Sequence, residues 1–269
     1  MCSVQYGASL AKGLFPLLGP AGATVLRVAL AALLLGMAYR PWRGALPAGT
    51  RRSIVGYGVA LGFMNLCYYL ALARAPMGVV VALEFTGPLA VALLASRRPM
   101  DFLWVLLAVS GLLLLVPWRG TAANVDPVGL GLALLSGVCW ALYIVFGTRA
   151  GAAHGGRGVA LGMVVATLVV LPAGFGTPPA AFLDPRILGI GVVVALLCSA
   201  LPYVLEIHAM QALPTRTFGI FMSLEPAIAA LSGFVFLDER LESLQLAAIG
   251  CVVAASLGSA ATSRTGPHP

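Results

Sequence analysis

Long runs of apolar residues, separated by short segments rich in Arg, Pro and Gly, follow one another along the whole chain. A transmembrane helix needs about 20 mainly apolar residues, and most of these runs have that length. They lack the alternation of apolar and polar residues that a transmembrane barrel requires, and a helix satisfies its own backbone polar groups in lipid. The pattern therefore predicts an all-α, polytopic transmembrane bundle of about ten spans, at 2–18, 21–39, 53–73, 77–96, 102–118, 128–148, 158–176, 186–208, 215–237 and 241–261.

The first predicted span differs from the others because little apolar sequence precedes its charge. It starts at Met1 and carries Gln5, Ser9 and Lys12. Either this helix is partial, or translation starts upstream of Met1. We favour the second interpretation, in which the first helix is truncated by the choice of start site.

Composition excludes most other classes of protein. Hydrophobic residues make up 60% of the chain and charged residues only 9%, whereas a soluble domain has about 25% charged residues. This excludes a soluble enzyme, a nucleic-acid binder and a disordered protein, and it makes the lipid bilayer the expected environment. No HExxH, nucleotide-binding loop or CxxC pair is present, so we expect neither an enzyme nor a bound metal or cofactor.

The basic residues carry an orientation signal. The net charge is +7, and the charges lie singly or in pairs between the apolar runs. If the chain crosses the membrane ten times and its N-terminus is in the cytoplasm, ten Arg residues fall in cytoplasmic segments and four in outer segments. Because Lys and Arg favour the cytoplasmic side, we expect both termini in the cytoplasm.

Landmarks in the two halves of the chain repeat at a constant offset of 138 residues. The repeat predicts two five-helix units, 1–120 and 121–269. Since five is an odd number, the second unit has to be inverted in the membrane relative to the first. Inverted repeats are typical of secondary transporters, whose substrate sites lie near the middle of the bilayer. The matching pairs are Pro76 and Pro214, Pro88 and Pro226, and Asp101 and Glu239.

Ionisable side chains inside a membrane are costly and usually face a cavity or a partner. Polar and aromatic side chains at helical spacing accompany them on several spans, which favours a shared hydrated cavity. The candidate binding residues are Lys12, Arg27, Asn65, Glu84, Trp140, Tyr143, Tyr203, Glu206 and Glu225.

Simpler interpretations stay open for each candidate. Arg27 can snorkel to the interface, and Lys12 and Glu206 can be interfacial, near the ends of their spans. Glu84 and Glu225 lie in mid-span, where the alternative is a structural ion pair. The aromatic candidates can be packing residues.

Three prolines are predicted to interrupt helices beside these polar groups. A proline frees a backbone carbonyl group and bends the helix, so each position can supply a ligand, a hinge or only a static kink. The three are Pro88, Pro202 and Pro226.

Seven short segments of the chain match a known pattern, and they are 7–12, 14–16, 81–92, 96–99, 201–203, 213–219 and 222–226. Together these segments resemble the drug/metabolite transporter superfamily of EamA type, and within it the RhtA-type threonine/homoserine exporters of bacterial inner membranes. One departure is that members of this family begin with a complete hydrophobic first helix.

The resemblance implies export of threonine, homoserine and related small amino acids, coupled to proton entry. A zwitterionic substrate needs an anionic partner for its ammonium group and a cationic one for its carboxylate. Glu84 and Glu225 are candidates for the first role and for proton coupling, and Lys12 or Arg27 for the second. The alternatives are export of an aromatic compound, nucleoside or cation by the same fold, or a membrane scaffold without transport activity.

Overall fold

Every regular element in the part of the chain that the structure describes is helical. The structure is a computed structural model, and it describes residues 2–43, 50–94, 99–115, 126–154, 156–202, 205 and 224–262. It contains a 3₁₀ turn at Leu171–Gly176 and a π-helical turn, called the π turn below, at Leu196–Ala200. The expectation of an all-α protein is confirmed for these residues. The α-helices are α1 (Cys2–Lys12), α2 (Phe15–Tyr39), α3 (Thr50–Leu72), α4 (Met77–Glu84), α5 (Thr86–Leu94), α6 (Pro99–Leu115), α7 (Pro127–His154), α8 (Gly156–Val170), α9 (Pro179–Leu183), α10 (Pro185–Ala195), α11 (Glu225–Leu237) and α12 (Ser243–Thr262).

Four helical segments among the described residues are long and apolar enough to cross a membrane. They coincide with the second, third, sixth and seventh predicted spans, and shorter apolar helices coincide with the fourth, eighth, ninth and tenth. The total of ten spans stays a prediction. The four long segments are Phe15–Tyr39, Thr50–Leu72, Pro127–Gly147 and Gly156–Gly176.

The first boundary between spans differs from its prediction. Helix α1 ends at Lys12, and α2 begins at Phe15. The sequence at Gly19 and Pro20 was expected to separate two spans, but it forms a kink inside α2, where Gly19 has a φ of 67°. Glycine adopts this left-handed conformation without steric cost, so the chain bends there and continues as a helix.

The fourth predicted span is broken at Phe85, between α4 and α5. Pro88 has no N–H group to donate to the carbonyl oxygen of Glu84, which removes one hydrogen bond of the helix. The Thr86 hydroxyl donates to the Leu83 carbonyl oxygen at 2.6 Å and satisfies a neighbouring acceptor. The predicted interruption by Pro88 is therefore present, three residues before the proline itself.

The other two predicted prolines lie in different surroundings. Pro202 follows the π turn, in which the N–H of Leu201 reaches back to the carbonyl oxygen of Leu196. Pro226 is in the first turn of α11, where proline is tolerated because its missing N–H would have no partner in the helix. The residues before Leu224 lie outside the described part, so an interruption at Pro226 stays a prediction.

Helix α3 packs against α2, α7 and α8, while α4 packs against α11 and α6 against α12. The helices approach closely at small residues. A Cβ atom on Gly87 of α5 would lie 2.6 Å from the carbonyl carbon of Gly137 of α7, and one on Gly137 would lie 2.7 Å from the carbonyl oxygen of Glu84. The break in the fourth span is therefore held against the backbone of α7.

The outer surface carries many large apolar side chains. Such a surface is stable in lipid and unstable in water, and it agrees with the transmembrane expectation. Examples from five helices are Leu33, Phe63, Leu168, Leu231 and Leu246.

Candidate substrate site

Seven of the buried polar or charged side chains among the described residues are considered together, on α1, α2, α3, α4, α7, α11 and the π turn. Each has at most 8% of its surface exposed. Burying an unpaired charge costs several kcal/mol, so these groups have to be balanced by one another or by a ligand. We refer to them as the central cluster, which consists of Gln5, Arg27, Asn65, Glu84, Ser136, Ser199 and Glu225.

Arg27 is the cation of the central cluster. One terminal nitrogen donates to Asn65 Oδ1, and the other lies 3.4 Å from Ser199 Oγ. Its guanidinium carbon is 4.7 Å from the centre of the Tyr69 ring, which adds a cation–π contact. Because only 4% of Arg27 is exposed, the side chain does not snorkel to the membrane interface.

The partners of Arg27 are themselves fixed. The Asn65 amide donates to the Leu61 carbonyl oxygen at 2.8 Å, one turn earlier in α3. Ser199 belongs to the π turn, and such turns widen a helix and often occur at functional sites. The guanidinium group is planar and matches the geometry of a carboxylate, so Arg27 is held in a position suited to bind one.

Glu84 lies at the end of α4, and its carboxyl group forms a hydrogen bond with Ser136 of α7. Ser136 Oγ is 2.5 Å from Glu84 Oε1 and 2.9 Å from the carbonyl oxygen of Met64. A hydroxyl group has one hydrogen to donate and can also accept. It therefore donates to Glu84 when that carboxylate is ionised, and it accepts from Glu84 and donates to Met64 when the carboxyl group is protonated.

Glu225 lies in the first turn of α11, where the helix dipole stabilises negative charge. Gln5 Nε2 of α1 donates to Glu225 Oε1 at 3.2 Å. The Glu84 carboxyl group is near enough to interact electrostatically with both Glu225 and Arg27. Glu84 thus interacts with both the second carboxyl group and the guanidinium group of the cluster.

Lys12 lies apart from these contacts, at the end of α1. Its ammonium group forms an ion pair with Glu239, which follows α11. The second carboxylate oxygen of Glu239 accepts from the backbone N–H of Met77, at the start of α4, at 2.7 Å. The pair lines a cleft of about 310 Å³.

The remaining candidates are aromatic residues or lie outside the described residues. Trp140 packs edge-to-face against Phe85, with ring centres 5.6 Å apart. Tyr143 packs against Tyr57 at 4.9 Å. Tyr203 and Glu206 are in the undescribed part, so the structure does not place them.

Four residues that the structure brings into these contacts were not among the candidate binding residues. Three of them lie at helical spacing on the polar faces that the sequence predicts, but single Ser and Gln residues are tolerated in many helices, so they were not selected as binding residues. The fourth entered only as a landmark of the repeat. They are Gln5, Ser136, Ser199 and Glu239.

Known proteins match nearly the whole chain. The chain is 51% identical over 264 residues to the threonine/homoserine exporter RhtA of Escherichia coli (strain K12), covering 98% of this chain and 90% of that protein. It is 50% identical over 268 residues to the threonine/homoserine exporter RhtA of Salmonella typhimurium (strain LT2), covering 100% and 91%. An uncharacterized transporter of Bacillus subtilis, YcbK, is 25% identical over 253 residues.

A family profile and a solved structure agree with these relatives. The profile of the EamA-like transporter family matches residues 127–260. A protein of known crystal structure superposes with a TM-score of 0.54 at 19% identity, covering 96% of both chains, which supports the fold. The resemblance found in the sequence is confirmed: the chain is a multi-pass membrane protein that belongs to the EamA-like transporter family.

Proposed function

We propose that the chain is a secondary transporter of the bacterial inner membrane that exports small amino acids of the threonine and homoserine class. The identity of 51% to a named threonine/homoserine exporter supports this substrate class. The observation that carries the proposal is the charge content of the central cluster, in which buried Glu84 interacts electrostatically with both buried Arg27 and buried Glu225. An α-amino acid carries both charges complementary to these groups.

In the proposed binding mode, Arg27 binds the carboxylate of the substrate. Glu84 and Glu225 are the two alternative partners for the ammonium group of the substrate. The amide of Asn65 and the hydroxyl of Ser199 already contact Arg27. They are therefore placed to contact polar atoms of a substrate bound there, including the hydroxyl group that distinguishes threonine from an apolar amino acid.

Proton coupling is proposed at the same carboxyl groups. The Ser136 hydroxyl can satisfy Glu84 in either protonation state, because Met64 offers an alternative acceptor. A proton can thus be exchanged at Glu84 without leaving a buried polar group unpaired, a situation that would cost about 1–3 kcal/mol. Ammonium binding and protonation would then exclude each other, which is the requirement for exchange of substrate against protons.

The two repeats, 1–120 and 121–269, are proposed to move against each other in alternating access, with both termini in the cytoplasm. Two pairs of helices at equivalent positions of the repeats pack together, because α2 contacts α8 and α6 contacts α12. These contacts support an interface between the two repeats, where a transporter of this kind binds its substrate.

Efflux from cells tests the substrate assignment. Cells that express the chain and are loaded with threonine-containing or homoserine-containing dipeptides should release the free amino acid faster than cells with an empty vector. The two amino acids should compete, and an apolar amino acid of similar size, such as valine, should leave at the vector rate. Release of aromatic compounds or nucleosides without any release of threonine would assign the same fold to another substrate.

A further inference from the structure

The Lys12–Glu239 ion pair joins the end of α1 to the segment that follows α11, and both side chains are partly accessible to solvent. The side chains of Lys12 and Glu239 are 26% and 13% exposed. The cleft beside them is also lined by Ala73, Arg74, Asp238 and Arg240. Its volume of about 310 Å³ is large enough for a small amino acid.

Glu239 is held in place independently of Lys12. One of its carboxylate oxygens accepts from the N–H of Met77, in the first turn of α4, where Pro76 at the N-cap supplies no side-chain cap. Its own N–H donates to the Gly233 carbonyl oxygen at 3.1 Å. Gly233 also leaves room for the carboxylate, because a Cβ atom at that position would lie 2.6 Å from Glu239 Oε2.

The two charges match the two ends of a zwitterion. An ammonium group can replace Lys12 on the oxygen that Lys12 now contacts, while the other oxygen stays bonded to Met77. The released lysine can then bind the carboxylate of the same molecule. One ion pair is exchanged for two, and no buried charge is left unpaired.

The ion pair and its contacts share two helices, α1 and α4, with the central cluster. Helix α1 carries Lys12 and, seven residues earlier on the same face, Gln5. Helix α4 carries Met77 and, seven residues later, Glu84. Since a helix rises about 1.5 Å per residue, each separation corresponds to about 10 Å along the helix axis.

We propose that Lys12 and Glu239 form a second binding site for the zwitterionic substrate, at the mouth of the pathway that leads to the central cluster. This proposal rests on the proposed function for the substrate class, and in the proposed orientation the site faces the outside. An amino acid bound there opens the ion pair, so that the two residues that close the site in the absence of substrate are also the residues that bind it.

The test uses a reporter cysteine in the cleft of the full-length protein. Ala73 is exposed and lines the cleft, so Ala73→Cys is introduced after the five native cysteines have been replaced by Ser or Ala. The rate of labelling by a maleimide is measured in nanodiscs, where both faces of the protein are accessible. At a threonine concentration ten times the dissociation constant, labelling should slow about tenfold.

Variants of the pair identify the groups that bind. Glu239→Gln keeps an acceptor for Met77 but loses the charge, and Lys12→Met keeps the length of the side chain. Both should abolish protection by threonine, and Lys12→Arg should retain it. Asp126→Asn is the matched control, because it breaks the exposed Arg74–Asp126 ion pair by the same change from carboxylate to amide, at a residue that does not line the cleft. N-acetylthreonine and threonine amide, which each lack one charge, should protect less than threonine.

Thermal unfolding of the same samples separates this proposal from the proposed function. If threonine raises the unfolding temperature but does not protect the cysteine, it binds at another site and the second site does not exist. The proposal would also be overturned if threonine protected the reporter cysteine in Lys12→Met and Glu239→Gln as well as it does in the protein that keeps the ion pair. If threonine neither protects nor stabilises the folded protein, the substrate assignment itself fails. In the protein that keeps its native cysteines, Glu239→Gln should raise the apparent KM for external threonine in exchange, and Asp126→Asn should not.

Discussion

Replacing Arg27 by Lys should raise the apparent KM for threonine by about ten- to hundredfold while the protein stays folded. Lysine keeps the positive charge, so Glu84 and Glu225 remain partly balanced. It cannot reproduce the planar two-nitrogen contact that Arg27 makes with Asn65 and Ser199 and offers to a carboxylate. A hydrogen bond to a charged group contributes about 1.5–3 kcal/mol, which corresponds to this loss of affinity.

Replacing Arg27 by an uncharged residue should also destabilise the folded protein, which Arg27→Lys should not do. Arg27→Gln leaves the buried carboxyl groups without their cation, and breaking a buried ion pair costs about 3–5 kcal/mol. We therefore expect less folded protein in the membrane as well as loss of export.

Arg186→Lys is the matched control for both Arg27 variants, because Arg186 is exposed at the start of α10. Export and the amount of membrane protein should be measured for all three. A wild-type KM in Arg27→Lys would exclude Arg27 from substrate binding.

Replacing Gly87 by Ala should lower the thermal unfolding temperature by several degrees and reduce export sharply. The new methyl group would lie 2.6 Å from the Gly137 carbonyl carbon and closer still to its oxygen. Both atoms belong to the backbone of α7 and cannot move aside alone. Overpacking of this kind costs about 1–3 kcal/mol, and the shift of α5 would also displace Glu84 from Ser136.

Gly131→Ala provides the control within α7, because a Cβ atom there would meet no atom within 4 Å. Alanine favours a helix over glycine by about 1 kcal/mol, so this variant should be as stable as the wild type or more so. An unfolding temperature of Gly87→Ala equal to that of Gly131→Ala would contradict the close contact of α5 with α7.

The sequence was sufficient to predict the class of fold, because the apolar runs and the cost of unpaired backbone groups in lipid leave few alternatives. It also predicted three charged members of the central cluster, Arg27, Glu84 and Glu225, since a charge deep in an apolar run needs a partner. Their partners were less predictable. Ser136, Ser199 and Gln5 lie on polar helix faces that the sequence predicts, but the charged group that each of them contacts depends on the rotation of each helix about its axis.

The ends of helices were the least predictable features. At Gly19 the local preference for a turn produces a kink inside a helix, because α2 packs on both sides of it. Lys12 was listed with the interior candidates because it lies within the first predicted span. In the structure it pairs instead with Glu239, which follows α11. That contact depends on how two distant helices are placed, which no local pattern records.

Flux through the purified protein in liposomes tests the central claim most directly. Liposomes with equal threonine on both sides are given an acidic exterior while the membrane potential is held at zero. A gradient of one pH unit supplies about 1.4 kcal/mol per proton, so threonine should leave the lumen until its internal concentration is up to about tenfold lower. Glu84→Gln or Glu225→Gln should abolish this response. Folded wild-type protein that moves no threonine, or a full response in both glutamine variants, would contradict the account.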